Sequence, residues 1–255
     1  MKGRPTAISK SICAAAICAG LGFGTAALAQ PETLREGLFG SQARTGRDLE
    51  SPATAHYVSE DGDSFTLDRS QGGVLLKFDD NPEVWTLVPH PGPRGDVIYE
   101  NDLGEPMLRA TRLGGLTIFT PHRPGGEAVA LAGGGTPLRL PILGPEAIAD
   151  RVLGASFRAS RAARRLIKFD VEATPRSSGL IADAAMVVSE AVVRMSRRAD
   201  ASRLLAKLNQ VSLIEGRRAT AQLSRGTLQV TVAPAQGLAG RPSSERIIRV
   251  VAASR

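Results

Sequence analysis

The sequence predicts an α+β protein, with an N-terminal antiparallel β meander or small barrel and a C-terminal half of helices and a sheet. From residue 56, eight short apolar runs follow one another at intervals of about ten residues, and each ends in Gly, Pro, Asn or Asp. From residue 145 the apolar residues recur at three and four, which is the period of a helix. We therefore expect a β-rich domain over 55–142 and an α+β domain over 143–255.

The N-terminus has the pattern of a secretory signal peptide over residues 1–29. Basic Lys2, Arg4 and Lys10 precede an apolar stretch, and "ALAQP" supplies a small-x-small cleavage site. We expect cleavage before Gln30, a periplasmic or secreted location and no transmembrane span after cleavage. The alternative is an uncleaved anchor, which the many Ala and Gly residues of the apolar stretch disfavour.

The expected exported chain begins with a polar segment and has no thiol. Residues 30–54 are interrupted by Gly and Pro and have few apolar residues, which predicts a flexible leader. Both cysteines, Cys13 and Cys18, lie in the predicted signal peptide. Disulfides, cysteine nucleophiles and zinc-thiolate sites are therefore excluded from the exported chain.

The eight apolar runs predict eight β-strands, and their alternation indicates one buried face. In "SFTLDRS", Phe65 and Leu67 point to one side of a strand while Ser64 and Thr66 point to the other. We interpret "PHRPGG", before the eighth strand, as a turn, and "AGGG" at 132–135 as a linker between the halves. The predicted strands are "HYVSE", "SFTLDRS", "VLLKF", "VWTLV", "DVIYE", "PMLRAT", "LTIFT" and "EAVAL".

Two long helices are predicted in the C-terminal half. The first begins at Pro145, where a first helical turn tolerates proline. The second, "SSGLIADAAMVVSEAVVRMSRR", has an apolar stripe with Asp183 and Glu190 outside it. Asp200 is a candidate N-cap of a short third helix, "ASRLLAKLNQ". The apolar stripe predicted for the first helix and its continuation comprises Val152, Phe157, Ala159, Ala162, Ala163 and Leu166.

Four strands complete the C-terminal half, in a sheet that we expect to be mostly antiparallel. "IKFDVEAT" and "VSLIEG" flank the helices and predict a right-handed βαβ crossover. "ATAQLS" and "TLQVTVAP" are joined through Arg225-Gly226, which predicts a tight hairpin. The apolar residues of 245–254 satisfy both helix and strand periods, and the preceding "PSSE" favours a helix because it offers a cap.

The two halves have opposite charge. Residues 30–150 have ten basic and eighteen acidic residues, a net charge of −8, whereas 151–255 have nineteen and seven, a net charge of +12. Such asymmetry indicates either that the halves attract each other or that the basic half meets an anionic partner.

The strongest basic feature is a run of arginines in and after the first helix. Arg158, Arg161, Arg165 and Lys168 are three or four residues apart and would share one face if the helix continued to residue 168. We identify this face as a candidate anion-binding site. The alternative is that these bases stabilise the helix C-terminus and pair with the acidic half.

No other residue pattern predicts a site. His56, His90 and His122 lack metal-ligand spacing, and the last two lie in proline-flanked turns, so we expect solvated residues and no metal or cofactor. Signatures of serine hydrolases are missing. The acidic clusters coincide with predicted turns, where Asp is favoured for backbone reasons. Those clusters are Glu60, Asp61, Asp63 and Asp68, and then Asp79, Asp80 and Glu83.

Two stretches together resemble a known family. "YENDLGEPMLRATRLGGLTIFTPHRPGG" and "NQVSLIEGRRATAQLSRGTLQVTVAPAQGLAGRPSSERI" are similar to the family of secreted Gram-negative bacterial proteins called domain of unknown function number 4908, and "GRPSS" is the most distinctive part. The resemblance covers nearly all of the chain after residue 29. It implies a secreted, stand-alone protein and assigns no catalytic residue.

We therefore expect a non-catalytic exported protein of the cell envelope that acts by binding or assembly. Its expected partner is an anionic envelope component or another envelope protein. Nucleic acid is excluded as a partner because it is scarce outside the cytoplasm and because the basic run has no interleaved aromatic residues. The alternative is an envelope hydrolase that uses clustered carboxylates such as Asp79 and Asp80.

Overall fold

The computed structural model describes residues 52–254. The expected signal peptide, the expected mature start and most of the predicted leader lie outside these residues. Within them, eight strands form a closed antiparallel barrel, followed by helices and a second sheet, so the predicted α+β fold class is confirmed. The predicted domain boundary at 142 and 143 falls in an irregular segment between the barrel and the first helix.

The barrel is an antiparallel meander in which each strand pairs with the next and the eighth pairs with the first. All eight strands predicted from the sequence are present. They are β1 (Thr54–Ser59), β2 (Ser64–Asp68), β3 (Val74–Phe78), β4 (Trp85–Pro91), β5 (Val97–Glu100), β6 (Pro106–Ala110), β7 (Leu116–Thr120) and β8 (Arg123–Gly134).

Side chains from alternate positions fill the barrel. On β2, Phe65 and Leu67 are buried, as the alternation predicts, and the ring of Phe65 stacks on that of Tyr57 with centroids 5.5 Å apart. A barrel of eight strands is narrow enough to be filled in this way. The buried side chains of this core are Ala55, Tyr57, Phe65, Leu67, Leu76, Trp85, Leu87, Leu108, Leu116 and Ile118.

β8 is longer than predicted and closes the barrel. The predicted turn "PHRPGG" is mostly strand, because the chain reverses at residues 121 and 122 and Arg123 already pairs with Thr120. Gly126 has φ +83° and lies against Phe119, so this glycine shapes a bulge. The predicted linker "AGGG" is also wrong, since Gly133 and Gly134 pair with β1. Glycine has both backbone hydrogen-bonding groups and can therefore pair in a strand. Because these glycines pair with β1, this sheet of the described chain closes and has no free edge.

The C-terminal half contains four helices and a four-stranded sheet. Its elements in chain order are α1 (Pro145–Ala163), β9 (Lys168–Val171), α2 (Ser178–Ser196), α3 (Ala201–Ala206), β10 (Gln210–Glu215), β11 (Thr220–Ser224), β12 (Thr227–Val232) and α4 (Ser244–Ala253). A short 3₁₀ segment (Pro234–Gly240) precedes α4, and another (Pro93–Gly95) lies between β4 and β5.

The C-terminal sheet is mostly parallel, which corrects the prediction of a mostly antiparallel one. The strand order is β11-β12-β10-β9, with β10 parallel to both of its neighbours. The predicted crossover from β9 to β10 accounts for one parallel pair. The second arises because the hairpin through Arg225 and Gly226, both at positive φ, inserts β12 between β11 and β10. Strand order of this kind is a long-range property that local patterns do not encode.

α2 lies at the centre of the C-terminal core and packs against α1, α4 and the sheet. The predicted helix is present, and both of its acidic residues bind arginines from other elements. Glu190 is buried beside Arg158 of α1, and Asp183 accepts a hydrogen bond from Arg241. Because α2 is covered on nearly all sides, polar residues outside its apolar stripe meet other elements.

The sequence 245–254 is helical, as the "PSSE" cap favours. Ser243 is the N-cap of α4, and its hydroxyl oxygen accepts from the backbone N–H of Arg246 at 3.1 Å. The predicted cap of α3 differs. Asp200 occupies the N-cap position, but its carboxylate binds Arg198 and Arg203 and does not cap the helix.

The segment "GRPSS" joins the C-terminal half to the barrel. The backbone N–H of Ser244 donates to Glu83 at 2.9 Å, and that of Ser243 donates to Asp102 at 3.1 Å. Arg241 lies 3.8 Å from Glu83 and also binds Asp183. Glu83 lies in the connection between β3 and β4, as the sequence predicts, but its side chain is fully buried. Two carboxylates from barrel loops thus bind the N-terminus of α4, where the helix dipole favours negative charge.

Candidate functional site

The four predicted anion-binding residues do not form one helical face. α1 ends at Ala163, and Arg164 has a left-handed backbone with φ 55°. The hydroxyl oxygen of Ser160 accepts from the N–H of Ile167 at 2.9 Å, and Ile167 is fully buried. The chain therefore turns inward after α1, and Lys168 begins strand β9.

Two of the four residues bind other groups of the protein. Arg158 donates to the buried Glu190 and approaches the sulfur of Met186 at 3.3 Å. Arg165 donates to Asn209 at 2.7 Å and also to the backbone carbonyls of Leu205 and Leu208. The carbonyl of Leu205 lies in the last turn of α3 and that of Leu208 follows it, so Arg165 places its charge at the negative end of this helix. Arg158 and Arg165 therefore have structural partners.

The other two predicted residues, Arg161 and Lys168, are exposed. Arg164, which lies between them in the chain, is exposed as well. Among residues 52–254, none of the three side chains has a hydrogen-bond or ion-pair partner. Arg164 belongs to the basic run noted in the sequence, but the helical spacing did not place it in the candidate site. Its left-handed cap position brings it to the surface.

Large apolar side chains are exposed on α1 and directly after it. Leu153, Phe157 and Leu166 are 66%, 71% and 68% exposed. Placing Phe157 and Leu166 in the buried stripe is wrong, because Val152, Ala155 and Ala159 form the inner face of α1 and Phe157 lies a third of a turn or more away from each of them.

Successive turns of α1 thus present Leu153, Phe157 and Arg161 on its outer side, and Arg164 is the exposed C-cap residue that follows. We call these four residues, together with Leu166 and Lys168 that follow α1, the outer patch. The acidic residues of α1, Glu146 and Asp150, lie in its first two turns, at the opposite end of the helix. Beside the patch, Arg164 and Arg165 line a groove of about 510 Å³ between the ends of α1 and α2 and the short helix α3.

The acidic barrel does not neutralise the outer patch. Ion pairs between the two halves join Glu83 to Arg241, Asp102 to Arg246 and Glu105 to Arg249, all at or near α4. In the described chain, no base of α1 pairs with a barrel carboxylate. Internal pairing, one of the two explanations of the charge asymmetry, therefore occurs at and near α4 and leaves Arg161 and Arg164 free.

Several of the clustered carboxylates have structural partners. Asp79 accepts from the hydroxyl of Ser64 at 2.7 Å and from the ring of His56 at 2.8 Å, and these two bonds hold its pKa below the ordinary value. Asp68 accepts from Thr54 and from the backbone N–H of Ser70 within its own turn. The two cavities that we describe are lined by neither Asp79 nor Asp80. This geometry does not favour the alternative of a hydrolase.

The histidines are dispersed over the barrel. His90 lies within strand β4 and not in a turn, with its ring 3.5 Å from Glu100, whereas His122 is exposed at the turn before β8. Residues 52–254 contain no group of three or more His, Cys, Asp or Glu that could hold a metal ion. Within the same range, no helix has the length and hydrophobicity needed to span a bilayer.

Comparison with known proteins identifies a family. The sequence model of the family described as "Domain of unknown function (DUF4908)" matches residues 33–251. This match confirms the resemblance stated from the sequence. No curated protein and no solved structure matches the chain.

Proposed function

Because the chain belongs to the DUF4908 family, whose description assigns no activity, we propose its function from its own surface: a non-catalytic, exported cell-envelope protein that binds anionic phospholipid membranes through the outer patch. Export rests on the signal-peptide pattern of residues 1–29. Membrane binding rests on the outer patch.

The observation that supports membrane binding is the pairing of free cations with exposed apolar side chains. Arg161, Arg164 and Lys168 have no partner among residues 52–254, and Leu153, Phe157 and Leu166 are each about two-thirds exposed. A soluble surface gains nothing from an exposed Phe beside a Leu one turn away. At a bilayer interface the same side chains enter the acyl boundary while the cations meet lipid phosphates.

The energies of this contact are sufficient for reversible binding. Each Lys or Arg close to an anionic membrane contributes about 1 kcal/mol, and the attraction weakens as salt increases. Full burial of a Leu or Phe side chain contributes about 1.5–3 kcal/mol. A cell-wall polymer offers anions without an apolar layer and would leave Phe157 in water, so the patch fits a lipid surface better.

Co-sedimentation with vesicles tests the proposal. We expect the protein to sediment with vesicles rich in phosphatidylglycerol, less so as salt increases, and not with pure phosphatidylcholine vesicles. The triple variant Arg161→Glu, Arg164→Glu, Lys168→Glu should lower the partition coefficient by about a hundredfold. The double variant Leu153→Ser, Phe157→Ser should lower it by at least tenfold and keep the salt dependence.

A matched control removes the same charge elsewhere. Arg217, Arg218 and Arg225 are exposed and unpaired within the described chain, around β11. The triple variant with glutamate at these positions should bind vesicles within about threefold of wild type, since long-range attraction is screened by salt. An equal decrease of vesicle binding in both triple variants would contradict binding through the outer patch. So would unchanged vesicle binding in the variant of Arg161, Arg164 and Lys168.

A further inference from the structure

A second concave surface lies between the barrel and the helices. This cavity of about 260 Å³ is bounded by β3, by the irregular segment 135–144, by α1 and α2 and by the 3₁₀ segment before α4. We call it the seam pocket. Its basic residues are Lys77, Arg139 and Arg151, one from each of three separate parts of the chain.

The wall formed by segment 135–144 is fixed at both ends. The backbone N–H of Leu138 donates to Asp68 at 2.7 Å, and its carbonyl accepts from Gln71 at 2.9 Å. Further along, the N–H of Leu143 donates to the hydroxyl of Ser178 at 3.1 Å. A side chain at Gly179 would lie 2.1 Å from the carbonyl oxygen of Pro141, so the segment packs directly on the backbone of α2. The pocket is therefore a preformed concavity.

The charge of the pocket is not balanced by the protein. Among residues 52–254, Arg139 and Arg151 have no hydrogen-bond or ion-pair partner. Lys77 lies close enough to Asp79 to help lower the pKa of that carboxyl group, so the charge of Lys77 is partly compensated. The one acidic residue that lines the pocket, Asp183, already accepts from Arg241. Arg139 and Arg151 thus remain without a compensating acid among the described residues.

The remaining walls are apolar. A pocket with apolar walls and a few charged groups at its edge fits a ligand that has both characters. Its volume equals that of about nine water molecules at about 30 Å³ each, so a ligand of roughly ten non-hydrogen atoms would fill it. The apolar lining residues are Val84, Pro137, Leu138, Leu140, Pro141 and Leu238.

We propose that the seam pocket binds a small carboxylate with a compact apolar body, whose charge is met by Lys77, Arg139 and Arg151. The apolar body of the ligand lies against the leucines and prolines of the wall. Arg151 lies on the side of α1 that faces the seam, whereas Leu153 and Phe157 face outward. The pocket is therefore separate from the outer patch and independent of membrane binding.

Titration of the purified protein with benzoate, hexanoate, inorganic phosphate and benzyl alcohol tests this proposal. We expect benzoate and hexanoate to bind and to shift the methyl NMR signals of Leu140 and Leu238. Benzyl alcohol, which is neutral, and phosphate, which has no apolar body, should bind at least tenfold more weakly. The variant Arg139→Gln, Arg151→Gln should lower the affinity for benzoate by about tenfold, because both charges are lost while the exposed side chains have no structural partner.

Two matched variants separate this site from other basic surfaces. Arg217→Gln, Arg218→Gln removes two exposed arginines elsewhere and should leave benzoate affinity unchanged, as should the triple glutamate variant of the outer patch. Failure of both carboxylates to bind, or equal affinity in the Arg139 and Arg151 variant, would overturn the proposal. Phosphate that binds as tightly as benzoate would overturn the role of the apolar wall.

Discussion

Glu83 shows how one side chain can depend on a residue far along the chain. It is fully buried, and its carboxyl group accepts from the N–H of Ser244, 161 residues later. Burial raises the pKa of Glu83 from 4.5 to about 7, although the charge of Arg241 acts in the opposite direction. Arg241 shares its donors with Asp183 and the carbonyl of Val84, which explains why it does not restore the ordinary pKa.

The raised pKa predicts a pH-dependent stability. The folded protein retains a proton on Glu83 that the unfolded chain releases, so this stabilising contribution is complete below pH 4.5 and is lost as the pH rises through about 7. Relative to the variant Glu83→Gln, wild type should lose about 3 kcal/mol of unfolding free energy between pH 4.5 and about pH 8. Urea denaturation of both proteins at several pH values measures the difference. If the difference in unfolding free energy between wild type and Glu83→Gln stays constant as the pH rises, or changes in favour of wild type, Glu83 is ionised over the whole pH range.

The sequence could not have identified Glu83 as a buried residue. It follows Asp79 and Asp80 in a run that contains the turn residues Asn and Pro, and such runs are usually exposed. Phe157 presents the opposite case, because its apolar character suggests burial and its position on α1 places it in solvent. In both cases tertiary contacts decide the environment and local pattern does not.

At the scale of elements, α4 depends on caps from two sources. Ser243 caps the helix from within the chain, and its hydroxyl also donates to Asp102 of the barrel at 2.5 Å. The same carboxylate accepts from Arg246 in the first turn of α4 at 2.7 Å. Asp102 therefore connects the start of α4 to the barrel.

Ser243→Ala removes both roles and should lower the unfolding free energy by about 1–2 kcal/mol, which is the usual effect of losing an N-cap hydroxyl. Thermal and urea denaturation measure this change. Ser224→Ala, at an exposed position at the end of β11, is the matched control and should change the unfolding free energy by less than about 0.5 kcal/mol. If the two variants have the same stability, the cap contributes nothing to the fold.

Elements set by local signals were predictable, and elements set by distant contacts were not. The eight barrel strands could be predicted because each is short, alternates and ends in a turn residue such as Gly62, at φ +93°. The end of α1 was mispredicted because a left-handed Arg164 and the bonds from Ser160 to Ile167 stop it. The candidate site changed accordingly, from a four-residue helical stripe to a patch that keeps only Arg161 and Lys168 of that stripe.

At the scale of the whole molecule, the ion pairs between the two halves of the described chain lie at and near α4. The barrel carboxylates meet arginines at and near α4, while the bases at the far end of α1 remain free for a partner. The sequence predicted the asymmetry but could not assign the pairs, because charges that are close in the chain need not be close in space.

Arg241→Met should destabilise both halves together, because the buried Arg241 binds Asp183 of α2 and lies 3.8 Å from Glu83 of the barrel. Breaking one side of a buried ion pair costs about 3–5 kcal/mol. Fluorescence of Trp85, the single Trp, reports on the barrel, and helical circular dichroism reports on the C-terminal half, which contains all four α-helices of the described chain. We expect the urea midpoints measured by both signals to decrease by the same amount. A shift in circular dichroism alone would mean that the barrel folds independently of its neighbour.

The contacts at Glu83 and Asp102 also impose an order on biosynthesis. The ribosome makes both carboxylates well before Ser243 and Ser244, which follow them by 141 and 161 residues in the contacts that we describe. A nascent chain that stops before residue 244 leaves the buried acid of the barrel without its backbone donor. The pairing of this buried acid therefore waits until residue 244 has been made, and we expect a product that ends earlier to be degraded more readily by proteases.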